Sequence, residues 1–416
     1  MVYKVQLARM ILLFVLYTRQ LMAAQYSPKQ FFRKVSNKYL IDYFEKKNIY
    51  LDVDLYSVEE SDAKTIFNAF KRLDEVTRHN IEADFQRVHD IANVIGIIAL
   101  LEEATELDNF HFIDMFKEHL HSFHDKAMFA FLDSPEYWQA ASLIFQAKRL
   151  VASSWRTIVN LPKLKESFVN IDIKLFSKAI GEYFFDKEGR GNRCEIEHYR
   201  RGKLDYFYAF PEDFSKSEVE WVRDTLQDLP HTMAFEIVFV YCQEDATLSI
   251  HAKKNAKNIP KLQQLFSQYI LKQPLTGFTP LVESKVYNLE ALVERDFNFV
   301  IADDSEIHSI KILQARATCK LNPKEKITVA SCPDKNINAV HDRLAKINLE
   351  GFYISQVTLK VIFKPSKEKE LSFKQFSITA PDRCNLTMFG EDLLIRDVLK
   401  ASGIEPESTN LSLPWL

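Results

Sequence analysis

Glycine is scarce in this chain, with 9 residues in 416. Folds that bring backbone against phosphate need glycine at the point of approach, and neither G-x-G-x-x-G nor G-x-x-x-x-G-K-S/T occurs, so a nucleotide-cradling loop is excluded. Cysteine is equally sparse. Cys194, Cys242, Cys319, Cys332 and Cys384 are odd in number, widely spaced and never in C-x-x-C form. That pattern speaks against a disulfide framework and a zinc-thiolate site, and it suits a reducing cytosol. No G-x-S-x-G is present, and no Cys or His stands in a local context that marks an activated nucleophile.

Long hydrophobic runs are missing too. The stretch from Met10 to Tyr17 is eight residues, far short of the roughly 20 needed to cross a bilayer. Lys4 and Arg9 before it, and Met22-Ala23-Ala24 after it, imitate a signal peptide, but Arg19-Gln20 interrupts the run before any cleavage point. The expectation is a dispensable extension over 1–21, with Met22 as the true start. Ordered-domain grammar follows at once in Ser27-Pro28-Lys29-Gln30, an N-cap, an N1 proline and a capping-box glutamine.

What the chain has is apolar and aromatic mass. Apolar residues make up 47% and phenylalanine alone contributes 32 positions, enough to fill two or three cores. The formal net charge of −3 gives no global pull toward nucleic acid.

The periodicity predicts an all-α domain over 22–186. Ile66, Phe67, Phe70 and Leu73 repeat at helical spacing, and Ile81, Phe85, Val88, Ile91, Ile95, Ile98 and Leu101 form one long stripe. Helical patterns continue over Phe110–Phe129, over Tyr137–Val151 behind Ser134-Pro135, and over Ile171–Phe185. No repeat is visible, which favours antiparallel packing over a solenoid.

Residues 193–272 read as a ββαββα module. Cys194–Arg200 and Leu204–Phe210 form a hairpin about Arg201-Gly202-Lys203. Ser217 with Glu220 resembles a capping box, ahead of Val219, Val222 and Leu226, so a helix is expected from there to Pro230. Phe235–Tyr241 and Thr247–His251 make a second hairpin, and Asn258 with Pro260 opens a helix. A Pro- and Gly-punctuated boundary leads to a second module over 281–405, with strands expected at Phe297–Ile301, Ile307–Lys320, Ile327–Ser331, Phe352–Phe363 and Leu371–Thr379. Helices are expected near Ile337–Ile347 and Leu393–Ala401, and residues 406–416 form a tail. The coarse order is again ββαββα, which raises the hypothesis of a duplication. The fold class is therefore α+β, a helical domain followed by two modules with antiparallel sheets.

Three constellations carry candidate chemistry. On a continuous helix, His111, Asp114, Glu118 and His121 fall at steps of three or four, and Glu118-x-x-His121 has the spacing of di-metal bundles. Such sites need a second Glu-x-x-His, and Gln86-x-x-His89 offers only an amide. Basic and aromatic residues interleave at Arg200, Arg201 and Lys203 and again at Lys253, Lys254, Lys257 and Lys261, a composition that binds phosphates and stacks bases. The second group is expected to lack nearby acids. Glu236 and Lys253 fit the outer positions of an acid, strand, acid-x-Lys nuclease pattern, but His251 stands where the inner acid belongs. Arg193 and His198 fall on opposite strand faces, and Asp303-Asp304 reads as a turn.

By elimination, the sequence points to a non-catalytic cytosolic protein that binds or assembles with a protein partner. It would be a subunit or accessory factor of a multi-protein system, host defence against mobile elements included, with no cofactor and no membrane. The competing reading is a nucleic-acid-binding or nuclease-like protein using Lys253 to Lys261. A metalloenzyme built on the helical domain is the third.

Overall fold

The computed structural model describes residues 26–118, 122–149, 155–159, 161, 172–252, 256–273, 286–332, 336, 338–365, 372–388 and 391–405. They divide into a helical unit up to residue 149 and an α+β unit from residue 155 onward. No helix among the described residues is long and apolar enough to cross a membrane.

In the helical unit, α1 (Pro28–Phe31), α2 (Asn37–Lys46), α3 (Ala63–Lys71), α4 (Glu75–Ile91) and α5 (Val94–Glu106) are followed by α6 (Phe110–Glu118), α7 (Phe123–Asp133) and α8 (Pro135–Arg149). Short polar caps set these boundaries. Asp62 and Asp74 each accept a backbone N–H three residues on, at the starts of α3 and α4. The long apolar stripe expected from Ile81 to Leu101 is cut in two by the same device, because Asn93 accepts the Gly96 N–H at 3.1 Å and starts a new helix. Gly96 is required there. A Cβ at that position would lie 2.2 Å from the Ile91 carbonyl oxygen. The break turns Ile95 outward, while Ile81, Phe85, Val88 and Ile91 stay buried. Aromatics fill the centre: Phe85 stacks on Phe31 at 4.3 Å between centroids and meets Phe32, Tyr43 and Phe44 at 4.9–6.4 Å.

The α+β unit holds β1 (Trp155–Ile158), α9 (Ile173–Glu188), β2 (Cys194–Arg201), β3 (Leu204–Val222), β4 (Thr225–Ala234), β5 (Ile237–Cys242), β6 (Thr247–His251) and α10 (Ile259–Tyr269). After these come β7 (Ile307–Cys319), β8 (Lys326–Ala330), α11 (Ala339–Leu344), β9 (Phe352–Phe363), β10 (Phe373–Thr379), β11 (Arg383–Cys384) and α12 (Glu391–Ala401). The first sheet has the order β1-β6-β5-β3-β2, with β4 paired to β3 alone. One face carries Phe207, Phe239, Tyr241 and Ile250, packed under Phe176, Ile180 and Phe184 of α9 and Phe266 of α10. Thus β1 and α9, from the span expected to be helical domain, belong to the sheet unit.

The α+β class holds, but the helix expected from Ser217 to Pro230 does not exist. That segment is the outer part of β3, a two-residue turn and β4. Its apolar residues satisfy two periods at once. Val219, Val222 and Leu226 suit a helix, whereas Glu218-Val219-Glu220-Trp221 alternates as a strand, and the ladder already running in β3 extends it. The turn expected at Arg201-Gly202-Lys203 is present, and the second expected hairpin is formed by β5 and β6.

The second sheet runs β11-β10-β9-β7-β8, with α11 and α12 supplying Val340, Leu344, Ile395 and Leu399 to its core. The expected strand Phe297–Ile301 joins no ladder; Phe297 and Phe299 meet edge to face at 5.0 Å and pack on that core instead. Strand order removes the duplication hypothesis. In the first sheet β2, β3, β5 and β6 meander to successive neighbours, while in the second the β8–α11–β9 connection passes over β7. The sheets are tied together where Tyr206 Oη donates to the Met388 carbonyl at 2.9 Å and Arg156 pairs with Asp382 at 3.1 Å.

Candidate functional site

A cluster of exposed apolar residues in the α+β unit lies on an arm. From Leu204 to Ala209, β3 is flanked by β2 and β5, but from Glu212 onward its only strand partner among the described residues is β4. The register places Trp221 opposite Leu226, with Val219 two residues along on the same face, and these are 68%, 57% and 64% exposed. The opposite face carries Glu218 and Glu220, the latter paired with His231. Over 212–234 the sequence has six carboxylates and two cations, Lys216 and Arg223. The arm is an acidic ribbon with an apolar tip.

Its root is pinned by Arg190, which follows α9. The guanidinium binds Asp213 at 2.7 Å and Glu188 at 2.8 Å and lies 4.1 Å from the Phe235 ring centroid, with Phe184 and Phe214 at 5.6 and 5.3 Å. Arg193 grips Glu212 through two nitrogens at 3.1 and 3.3 Å. A ribbon anchored this firmly is aimed, although its outer part pairs with no third strand among the described residues.

The basic residues singled out from the sequence are not brought together. Arg200, Arg201 and Lys203 sit at the β2–β3 turn, level with Cys242, whereas β6 leads toward Lys257 from His251 at the other end of the sheet. Lys253 and Lys254 fall outside the described residues. Lys257 is 3.7 Å from Glu188, and Lys261 lines an open groove of about 530 Å³ between α9 and α10 beside Glu182 and Asp186. Acids therefore accompany this segment, contrary to expectation. Arg200 lies 3.9 Å from buried Asp205, which also meets His198 at 3.1 Å.

Only part of the metal constellation falls within the described residues. The helix of His111 and Asp114 ends at Glu118, and the Ser122 hydroxyl accepts the Asp125 N–H at 2.9 Å to start α7. This cap places Asp125 on a separate helix from His111 and Asp114. The Glu118 side chain and His121 lie outside the described residues. Asp125 is occupied by the backbone N–H and hydroxyl of Ser36, both at 2.7 Å. Among the described residues no three His, Cys, Asp or Glu side chains are grouped to hold a metal ion.

A polar row that the sequence did not suggest crosses the face of the first sheet opposite α9 and α10. Glu197, Tyr208, Val238, His251 and Trp155 are successive cross-strand neighbours, and the last four are buried. The His251 and Trp155 rings lie 5.3 Å apart. Burial pushes the neighbouring Glu236 carboxyl above its ordinary range, and pushes the Cys194 and Cys384 thiols up to about 11. Neither thiol is a thiolate near neutrality, so neither is a nucleophile there.

No protein-family model matches this chain, and no curated protein matches it.

Proposed function

We propose that this chain is a non-catalytic cytosolic binding and assembly protein, a subunit or accessory factor that engages a protein partner through the β3–β4 arm. The observation that carries this reading is the exposed Val219–Trp221–Leu226 face on a ribbon that is acidic elsewhere. Two strands alone make a marginal structure in water, and a tryptophan flanked by aliphatic residues is the composition of an interface hot spot. Four carboxylates toward that tip, Glu218, Glu220, Asp224 and Asp228, favour a partner with an apolar slot and a basic rim, and they repel a phosphate backbone.

The test compares partners that co-purify with the tagged wild-type chain and with a Trp221→Ala/Leu226→Ala double variant, alongside thermal melts of both. A specific partner lost from the variant, with unchanged melting, supports the arm. Retention of every stoichiometric partner by the variant sinks it.

A further inference from the structure

We infer that the arm takes its partner by strand addition, with an extended segment of alternating apolar and basic residues pairing along the free edge of β3 between Ser215 and Trp221. The inference rests on the arm being the interface and adds the form of what binds there.

The two edges of the arm are not equivalent. Arg223 and Asp224 form a two-residue turn, so Val222 and Thr225 exchange both ladder hydrogen bonds, and bonded and non-bonded pairs alternate from there. Ser215–Thr232, Ser217–Pro230, Val219–Asp228 and Trp221–Leu226 are therefore the pairs whose backbone groups point away from the ribbon. On β4 one of those outward positions is Pro230, which has no N–H to offer an incoming strand and so blunts that edge. On β3 the outward positions are Ser215, Ser217, Val219 and Trp221, all exposed, and no proline lies between Glu212 and Val222. β2 occupies this side of β3 only as far as Pro211, the partner of Cys194, and no described strand continues beyond it. One edge is closed and the other stands open for about 20 Å at ~3.4 Å per residue.

Side chains define the strand that fits. Ser215, Ser217, Val219 and Trp221 share one face of β3, and Lys216, Glu218 and Glu220 share the other. A strand added antiparallel to β3, as β2 is, meets Trp221 and Val219 with apolar residues and Glu220 and Glu218 with basic ones. Glu218 has no ion-pair partner among the described residues, and Glu220 meets His231 across the ribbon. A second copy of the arm is a poorer occupant, because β3 against β3 about a two-fold near Val219 sets carboxylate beside carboxylate. A helix is poorer too, since it leaves the outward N–H and C=O groups of β3 unpaired.

The probe is a labelled heptapeptide, Val-Arg-Val-Arg-Thr-Glu-Thr, which in antiparallel register runs from Trp221 to Ser215. Binding to the full chain is read by fluorescence anisotropy and by residue-resolved hydrogen exchange. The peptide is expected to slow exchange of the Ser215, Ser217, Val219 and Trp221 amides about tenfold or more and to leave β8 unchanged. Methylating its backbone nitrogens that face β3 keeps every side chain and should abolish binding. Ser217→Pro removes an outward N–H and no ladder bond, and should lower affinity about fivefold or more, whereas Thr232→Pro on the β4 edge should not. Thermal melts of both variants exclude misfolding as the cause.

No binding at up to about 1 mM peptide, equal binding of the methylated peptide, or unchanged exchange at the four amides overturns strand addition. So does loss of binding in Thr232→Pro alone, or a dimer of the free chain that Ser217→Pro dissociates, which would make a second copy the occupant. The arm reading fails separately. Co-purifying partners lost from Trp221→Ala/Leu226→Ala but kept by Ser217→Pro leave the arm as the interface without strand addition, and partners kept by both variants remove the arm as well.

Discussion

Arg190 and Asp213 form a 2.7 Å ion pair at the point where the arm leaves the first sheet. Because the same guanidinium holds Glu188 and lies over Phe235, this residue couples the end of α9 to both strands of the ribbon. The direction of the arm therefore depends on one half-enclosed cation more than on the turn at its tip.

Arg190→Ala is expected to destabilise the α+β unit by about 2 kcal/mol, less than a fully buried pair because Asp213 retains some water contact. Urea unfolding measures the loss. Hydrogen exchange of the 212–234 amides should accelerate more than that of β5, and equal acceleration would show that Arg190 does not act at the root.

His124 in α7 is buried, and its Nε2 lies 3.1 Å from His89 Nδ1. Burial, followed by the charges of Lys34 and His89, lowers its pKa to about 3. The folded value is below the unfolded value of about 6.5, so the neutral form is favoured on folding. Its contribution is fully present above pH 6.5 and is lost as pH falls toward 3. At about 1.4 kcal/mol per unit, the loss by pH 4.5 is up to roughly 2–3 kcal/mol. Thermal melts should show the helical unit weakening over this window and His124→Asn reducing that dependence; an identical pH profile in the variant would refute it.

Arg396 in α12 is 2% exposed; it pairs with Glu405 and donates to the carbonyls of Leu386 and Thr387 at 3.0 and 3.1 Å. Glu405→Ala strands a buried cation and should cost about 3–5 kcal/mol, whereas Arg396→Met with Glu405→Leu should recover much of it. Denaturant titration of the single and double variants decides between an essential pair and a replaceable one.

Gly96→Ala puts a methyl 2.2 Å from the Ile91 oxygen. Backbone cannot yield there without moving the start of α5, so a loss of more than about 2 kcal/mol is expected. Circular dichroism melts of this variant, set against Ala99→Gly within the same helix, separate the clash from ordinary helix propensity.

Local chemistry was legible wherever one period or one turn residue acted alone. Gly202 marked the first hairpin, Pro135 began α8, and the order of the second module from β7 to α12 followed from alternation and spacing, apart from the two-residue β11. Where two signals competed, the sequence was ambiguous. Asn93 and Ser122 cap new helices inside stripes that stay apolar across the break, so periodicity ran straight through them.

The sequence by itself determined the class: α+β, helices first, antiparallel strands after, and no nucleotide-cradling glycine loop. Only the tertiary structure decided that Ser217 to Pro230 is a ribbon, because a ladder begun in β3 supplies a partner that intrinsic propensity cannot see. It also decided which charges meet. Lys257 acquired Glu188, and Lys311 came to face Lys360, since register, not distance along the chain, sets a side chain's neighbours in a sheet.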